Sequence, residues 1–251
     1  MLKKLFEPIQ IGPMRVNNRF VVPPMSNNFA IASGELSERS MYYYRERAKG
    51  GFGLITVEAT VIDPTAKGGP RKHCLYDDSQ IGALKKVVDE CHTYGSKVMV
   101  QLQQAGPEGS AKAAGYPLKS ASRIQASFSK DIPLEMTTKQ IYELVELYGD
   151  AALRAKKAGV DAVEVHMAHG YLVSSFISPQ TNKRVDEFGG CFENRMRLPK
   201  LIIENIRRKV GHNIAVLARI NSCDETLGGI TVEDAMAVAS YLEACGIDGI
   251  D

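Results

Sequence analysis

The 251-residue sequence has no run of about 18 consecutive apolar residues, and its opening segment MLKKLFEPIQIGPM lacks the apolar stretch of a secretory leader. No membrane-spanning helix is expected, and the protein is expected to be cytoplasmic. Neither sign of charge is in excess: 31 Lys and Arg against 29 Asp and Glu leave a formal net charge of +2. That balance gives no electrostatic reason to expect nucleic acid or an anionic membrane as a partner. Cysteine is sparse, with Cys74, Cys91, Cys191, Cys223 and Cys245, and no pair is spaced C-x2-C. No metal or cluster site is therefore expected in this sequence. An odd number of scattered cysteines in a cytosolic chain reads as small buried side chains rather than disulfides. Cys191 lacks a basic neighbour pattern and reads as inert. Low-complexity segments and interdomain linkers are absent as well.

What is present is an alternation of short apolar runs with longer amphipathic segments. The runs are Phe20–Met25, Gly53–Ala59, Lys97–Leu102, Ala162–Met167, Ile214–Ile220 and a last one from Ile247. Each is rich in Val, Ile or Leu, as strands buried on both faces require. Between them, Ser37 caps a helix that ends at Gly50–Gly51. Asp77 or Asp78 opens a second, which carries Ile81, Leu84, Val87 and Val88 on one face and ends near Gly95. Thr137-x-x-Gln140 is a capping box for a third that stops at Gly159. A fourth is predicted from about Glu193 to Val210, and Thr231 caps a fifth that stops at Gly246. Strict alternation with short joints implies parallel strands and right-handed crossovers. The turn after the first run, PPMSNN, carries no G-x-G-x-x-G, which argues against an open dinucleotide-binding sheet.

The expected fold is α/β: a (β/α)8 barrel cut short after about six strands. Residues 5–19 form an N-terminal β-hairpin, turning at Gly12–Pro13, that plugs the barrel bottom. Asp251 falls just as the sixth strand begins, so the sequence, 1–251, is expected to be an incomplete barrel domain from a longer polypeptide.

A parallel barrel holds its site at the carboxyl ends of the strands. Gln101, Glu164, His166 and Arg219 are the polar residues that interrupt those ends. Period-two alternation puts Glu164 and His166 on one face and Val163 and Val165 on the other. Each has a structural alternative: Glu164 as an internal hydrogen-bonding group, and Arg219 simply as the partner of Glu164. His166, His169 and Tyr171 lie within six residues, which packing alone does not account for.

The stretch HMAHGYLVSSFISPQTNKRVDEFGGCFENRMR, residues 166–197, resembles the old yellow enzyme family. Residues 17–25 (NNRFVVPPM), 47–60 (RAKGGFGLITVEAT), 100–106 (VQLQQAG) and 158–166 (AGVDAVEVH) share the likeness. In detail the sequence is similar to the branch with 2,4-dienoyl-CoA and 2-enoate reductases. The resemblance implies an FMN-dependent oxidoreductase that uses NADH or NADPH to reduce the C=C bond of α,β-unsaturated carbonyl, enoate or enoyl substrates. It implies that Pro24, Met25, Ser26 and Ala59 lie along the flavin, that Gln101 bonds its pyrimidine edge, and that Arg219 stabilises the reduced ring. His166 and His169 would hold the substrate oxygen, and Tyr171 would protonate Cα. Longer members of the branch add a 4Fe-4S segment and an FAD- and nicotinamide-binding region.

Hydride arriving at Cβ builds enolate charge on the substrate oxygen. Losing one preplaced oxyanion donor typically costs about 3 kcal/mol. Three departures stand out. Ser26 occupies a position where several relatives carry Cys or Thr, and Asn28 one where some carry Tyr. The FMN phosphate is held in the family by loops after strands seven and eight, which do not occur in this sequence. Arg184, Asp186, Gly189, Gly190, Glu193, Asn194 and Arg195 are expected to shape the loop and cap the next helix.

Two other functions compete. Some relatives dehydrogenate amines on the same barrel, although paired histidines suit a carbonyl better. Alternatively, an incomplete barrel acts only as an assembly or binding module. A homo-oligomer is expected, because open sheet edges invite association.

Overall fold

The computed structural model describes residues 2–126 and 129–251. At the N-terminus β1 (Ile9–Ile11) and β2 (Met14–Val16) pair antiparallel. Gly12 turns between them at φ +52°, and a Cβ there would run into the Asp248 carboxylate, so the turn requires glycine. The chain continues through β3 (Val21–Val22), α1 (Glu38–Lys49), β4 (Leu54–Val61), α2 (Ile81–Thr93) and β5 (Lys97–Gln103). A long connection follows, holding α3 (Ala111–Ala114) and the short parallel pair β6 (Lys119–Ser120) and β7 (Leu134–Glu135). Then come α4 (Thr138–Lys157), β8 (Ala162–Met167), α5 (Leu172–Ile177), α6 (Phe192–Arg195) and α7 (Arg197–Val210). Last are β9 (Ala215–Ile220), α8 (Val232–Ala244) and β10 (Gly249–Ile250).

Six strands form one parallel sheet in the order β3-β4-β5-β8-β9-β10, which is chain order. A doubly wound sheet reverses its order at a switch point. Order without reversal is that of a (β/α) barrel, and the sheet curls as part of one.

The two faces separate as period-two alternation requires. Ile55, Val57, Val98, Val100, Val163, Val165 and Val216 pack outward on a helical layer that includes Tyr44, Leu84, Tyr148 and Ile202. On the inner face the first layer is apolar: Leu54, Met99, Ala162, Ala215 and Leu217 meet Met14 and Val16, with Ile9 and Ile11 alongside. The hairpin therefore covers the amino ends of the strands. Two residues further along each strand the inner face turns polar, at Thr56, Gln101, Glu164 and Arg219.

Local signals set the helix starts. Ser37, Thr137 and Thr231 each close a capping box, with Ser40, Gln140 and Asp234. Asp77 caps the 3-10 turn that leads into α2. Three boundaries differ from the sequence reading, the first being the hairpin, which pairs over 9–16 rather than 5–19, with Leu2–Phe6 forming a 3-10 turn. The helix predicted from 193 to 210 breaks at Met196 into α6 and α7. Pro199 has no N–H to donate to the carbonyl of Arg195, and its ring crowds that carbonyl. The first strand pairs only through Val21 and Val22, because Pro23 and Pro24 cannot extend the ladder. The three consecutive tyrosines divide as one helix face dictates. Tyr44 is buried and its hydroxyl accepts the Glu58 N–H at 2.9 Å, while Tyr42 is exposed. No helix among the described residues is long and apolar enough to cross a membrane.

One backbone approach positions the site. Gly106 has φ +57°, and a Cβ on it would lie 2.6 Å from the N and Cα of Leu172, the first residue of α5. Gly106→Ala combines left-handed strain with a clash against backbone. It is expected to cost roughly 2–5 kcal/mol, read as a lowered urea midpoint with unchanged slope.

Candidate active site at the carboxyl ends of the strands

Strand register brings the polar residues side by side. Gln101 of β5 lies opposite Glu164 of β8, and His166 of β8 lies opposite Arg219 of β9. Gln101 Nε2 donates to Glu164 Oε1 at 2.7 Å. Burial pushes the Glu164 carboxyl up to about 7, the Asp251 charge adds to this, and Gln101 and Arg219 oppose it. Arg219 Nε stands 3.5 Å from the Asp251 carboxylate. The Arg219–Glu164 ion pair weighed as a structural alternative does not form among the described residues, since register sets Arg219 beside His166 instead. Ala59 is buried in a bulge: register shifts between Val57 and Thr60, so Glu58 and Ala59 together oppose Gln101.

The histidines meet each other. His166 Nε2 and His169 Nδ1 are 2.9 Å apart, one donating to the other according to tautomer. Burial drives His166 down to about 3, with the charges of His169 and Arg219 adding to it. Burial and the Arg219 charge also lower His169. Both imidazoles are therefore neutral at pH 7. In either tautomer the pair keeps one N–H free for a ligand, on His169 Nε2 or His166 Nδ1. His166 Nδ1 is buried with no partner among the described residues. Tyr171 packs its ring on His166, with centroids 4.8 Å apart. It faces a cleft of about 230 Å³ shared with Ser26, Lys72, Gln103 and Ser110.

His169 is held in the left-handed region, φ +61°, followed by Gly170 at φ +74°. Such a conformation in a non-glycine residue needs support from its surroundings. Asn221 supplies it, accepting the His169 N–H through Oδ1 at 2.9 Å. Asn221 donates to Asp224 at 3.0 Å, and Asp224 in turn accepts from Ser178 Oγ at 2.6 Å. The sequence reading missed this chain. Its signal was available: NSCD follows directly on β9, where a barrel places its site.

A larger trough of about 470 Å³ runs from His169 past Asn221 and Ser178 to Ile124 and Gln125. Residues of the connection 107–135 line it; Ser127 and Phe128 within that connection lie outside the described residues. Pro24, Met25 and Ser26 continue from β3 toward this end of the sheet, with Met25 and Ser26 exposed. The polar loop 184–195 is scaffold. Arg184 is buried and donates to Asp186 and to the carbonyls of Ala121 and Met136. Asn194 and Arg195 donate to the carbonyls of Gly189 and Ile177.

Residues 4–251 match the NADH:flavin oxidoreductase / NADH oxidase family. The chain is 38% identical to the NADH oxidase of Thermoanaerobacter brockii over 97% of this chain and 38% of that protein. It thus spans about two fifths of that relative's length. A 2-naphthoyl-CoA reductase bound to 2-naphthoyl-CoA superposes with a TM-score of 0.95 at 32% identity, covering 100% of this chain and 40% of that one. The old yellow enzyme homologue from Zymomonas mobilis superposes with a TM-score of 0.89 at 28% identity, covering 98% of this chain and 72% of that one. The likeness carried by residues 166–197 is thereby borne out, and the chain belongs to the NADH:flavin oxidoreductase / NADH oxidase family of old yellow enzymes.

Proposed function

We propose that this chain is the FMN-binding catalytic part of an oxidoreductase that uses NADH or NADPH to reduce the C=C bond of α,β-unsaturated carbonyl or enoyl substrates. The observation that carries this reading is the gathering of Tyr171, His166 and His169 at one strand end, beside Gln101 and Arg219 on the flanking strands. The inner face suits a flavin ring. Its polar layer keeps Thr56 Oγ1, Glu164 Oε2 and His166 Nδ1 buried and without partners among the described residues. Gln101 offers amide donor and acceptor groups, Arg219 a cation, and Ala59, Met25 and Pro24 apolar surface. Bound there, FMN supplies the hydride.

The chain's own residues do the rest. The free N–H of the His166–His169 pair holds the carbonyl oxygen and stabilises the charge that grows on it. Because burial keeps both rings neutral, they give this hydrogen bond without surrendering a proton. Tyr171, which lines the cleft, delivers the proton to Cα from its hydroxyl. The trough beyond His169 takes the remainder of the substrate.

Flavin colour and its anaerobic bleaching test the reading. The protein should take up FMN, bleach with NADH or NADPH, and regain colour on adding 2-cyclohexenone. Bleaching by trimethylamine with no response to the enone would favour an amine dehydrogenase. Protein that stays colourless with excess FMN would favour a binding module.

A further inference from the structure

Glu164 is wholly buried, and the chemistry proposed above makes no use of it. We propose that Glu164 is the positioning residue for Gln101, holding its amide so that the carbonyl oxygen, not the nitrogen, is turned toward the ring's pyrimidine N–H. This rests on the FMN reading given above.

A glutamine amide can turn over and exchange its oxygen and nitrogen at little steric cost. An ionised carboxylate removes that freedom, because it only accepts. The Nε2 of Gln101 faces Glu164 Oε1 at 2.7 Å, and covalent geometry then turns Oε1 away from β8. Turning the amide over would set two oxygens against each other in a buried place, at the cost of an unmade hydrogen bond. The pair is also built into the ladder: Gln101 and Glu164 are register partners, so neither backbone can drift from the other.

The charged and titratable groups around Glu164 are Arg219 on β9, Asp251 beyond β10 and His166 on its own strand. Protonation of Glu164 falls on Oε2, the oxygen with no partner among the described residues. Oε1 is left accepting from Gln101. The amide is therefore held on both sides of the Glu164 titration, and only the charge beside it changes. A glutamine at 164 keeps an acceptor oxygen, whereas a leucine does not.

The test joins FMN binding to a flavin-free measurement. FMN affinity should fall about tenfold in Glu164→Leu and stay within about threefold of wild type in Glu164→Gln. In a Gln101→Leu background, Glu164→Leu should cost nothing further, because the two act as one unit. In the apoprotein, the Gln101 side-chain amide resonances in 1H–15N spectra should titrate with pH in wild type and not in Glu164→Gln. Equal losses in both backgrounds, or Gln101 resonances blind to Glu164→Gln, would overturn the proposal. Should Glu164→Leu fail to fold by circular dichroism, the Glu164→Gln spectra decide. A wild-type protein that takes up no FMN sinks the reading above, while the apoprotein titration still decides whether Glu164 holds Gln101.

Discussion

Replacing Tyr171 by phenylalanine is expected to slow enone reduction by about 10²- to 10⁴-fold, the usual worth of a positioned proton donor. Flavin reduction by NADH or NADPH should be unchanged. The substitution removes one oxygen and little else. Tyr171 meets His166 edge-on through its ring, with centroids 4.8 Å apart, and phenylalanine keeps that contact. The residue caps α5 through its backbone, with no side-chain hydrogen bond, so the helix start is untouched. Neither the His166–His169 bond nor the Asn221 support of His169 involves the phenol. A selective loss in the oxidative half-reaction, followed by stopped-flow absorbance, therefore isolates proton delivery. Full turnover in Tyr171→Phe would show that the Cα proton comes from elsewhere, with water in the cleft the next source to test.

The sequence and the structure agree most closely where the controlling chemistry is local. The caps at Ser37, Thr137 and Thr231 could be read because each box closes within four residues. The inward turn of Glu164 and His166 followed from alternation within one strand. What alternation does not encode is register between strands, and register chose the partners. It set Glu164 beside Gln101 and Arg219 beside His166, where sequence reasoning had weighed Arg219 with Glu164. The bulge at Glu58 and Ala59 is likewise a property of two strands, not one. The bond between His166 and His169 needs a left-handed backbone at residue 169, and Asn221, 52 positions away, sustains it. Nothing near residue 169 announces that support. Pro199 was visible, but a proline in the first turn of a helix and a break before it look alike in sequence.

Stability should fall less steeply between about pH 6.5 and 4.5 than from 4.5 toward pH 3. Two buried histidines drive the fall. His73 is fully enclosed, with Nδ1 bonded to Thr60 Oγ1 at 2.9 Å, and burial pushes it down to about 3. His166 is pushed equally low. The unfolded chain protonates both near 6.5, so between 6.5 and 3 it binds two protons that the folded chain refuses. Stability is therefore lost as pH falls, at about 1.4 kcal/mol per unit for each histidine. Glu164 and Glu58 act in the opposite sense, since burial raises both. Their folded forms keep protons that the unfolded chain releases above about 4.5, so they lose stability as pH rises from there. Across 4.5 to 6.5 Glu164 offsets one histidine, and Glu58 offsets part of the other. Below 4.5 the unfolded carboxylates are protonated too, the opposition ends, and the two histidines together contribute about 3 kcal/mol per unit. Asp161, lowered by His92, Lys97 and a backbone N–H against its own burial, steepens the lower end. Urea midpoints taken every half unit would trace the curve. His73→Leu should halve the acid slope, because Thr60 Oγ1 keeps its bond to the Glu58 carbonyl at 2.7 Å. An acid slope unchanged by that substitution, or a decline no steeper below pH 4.5 than above it, would show that the buried histidines do not govern it.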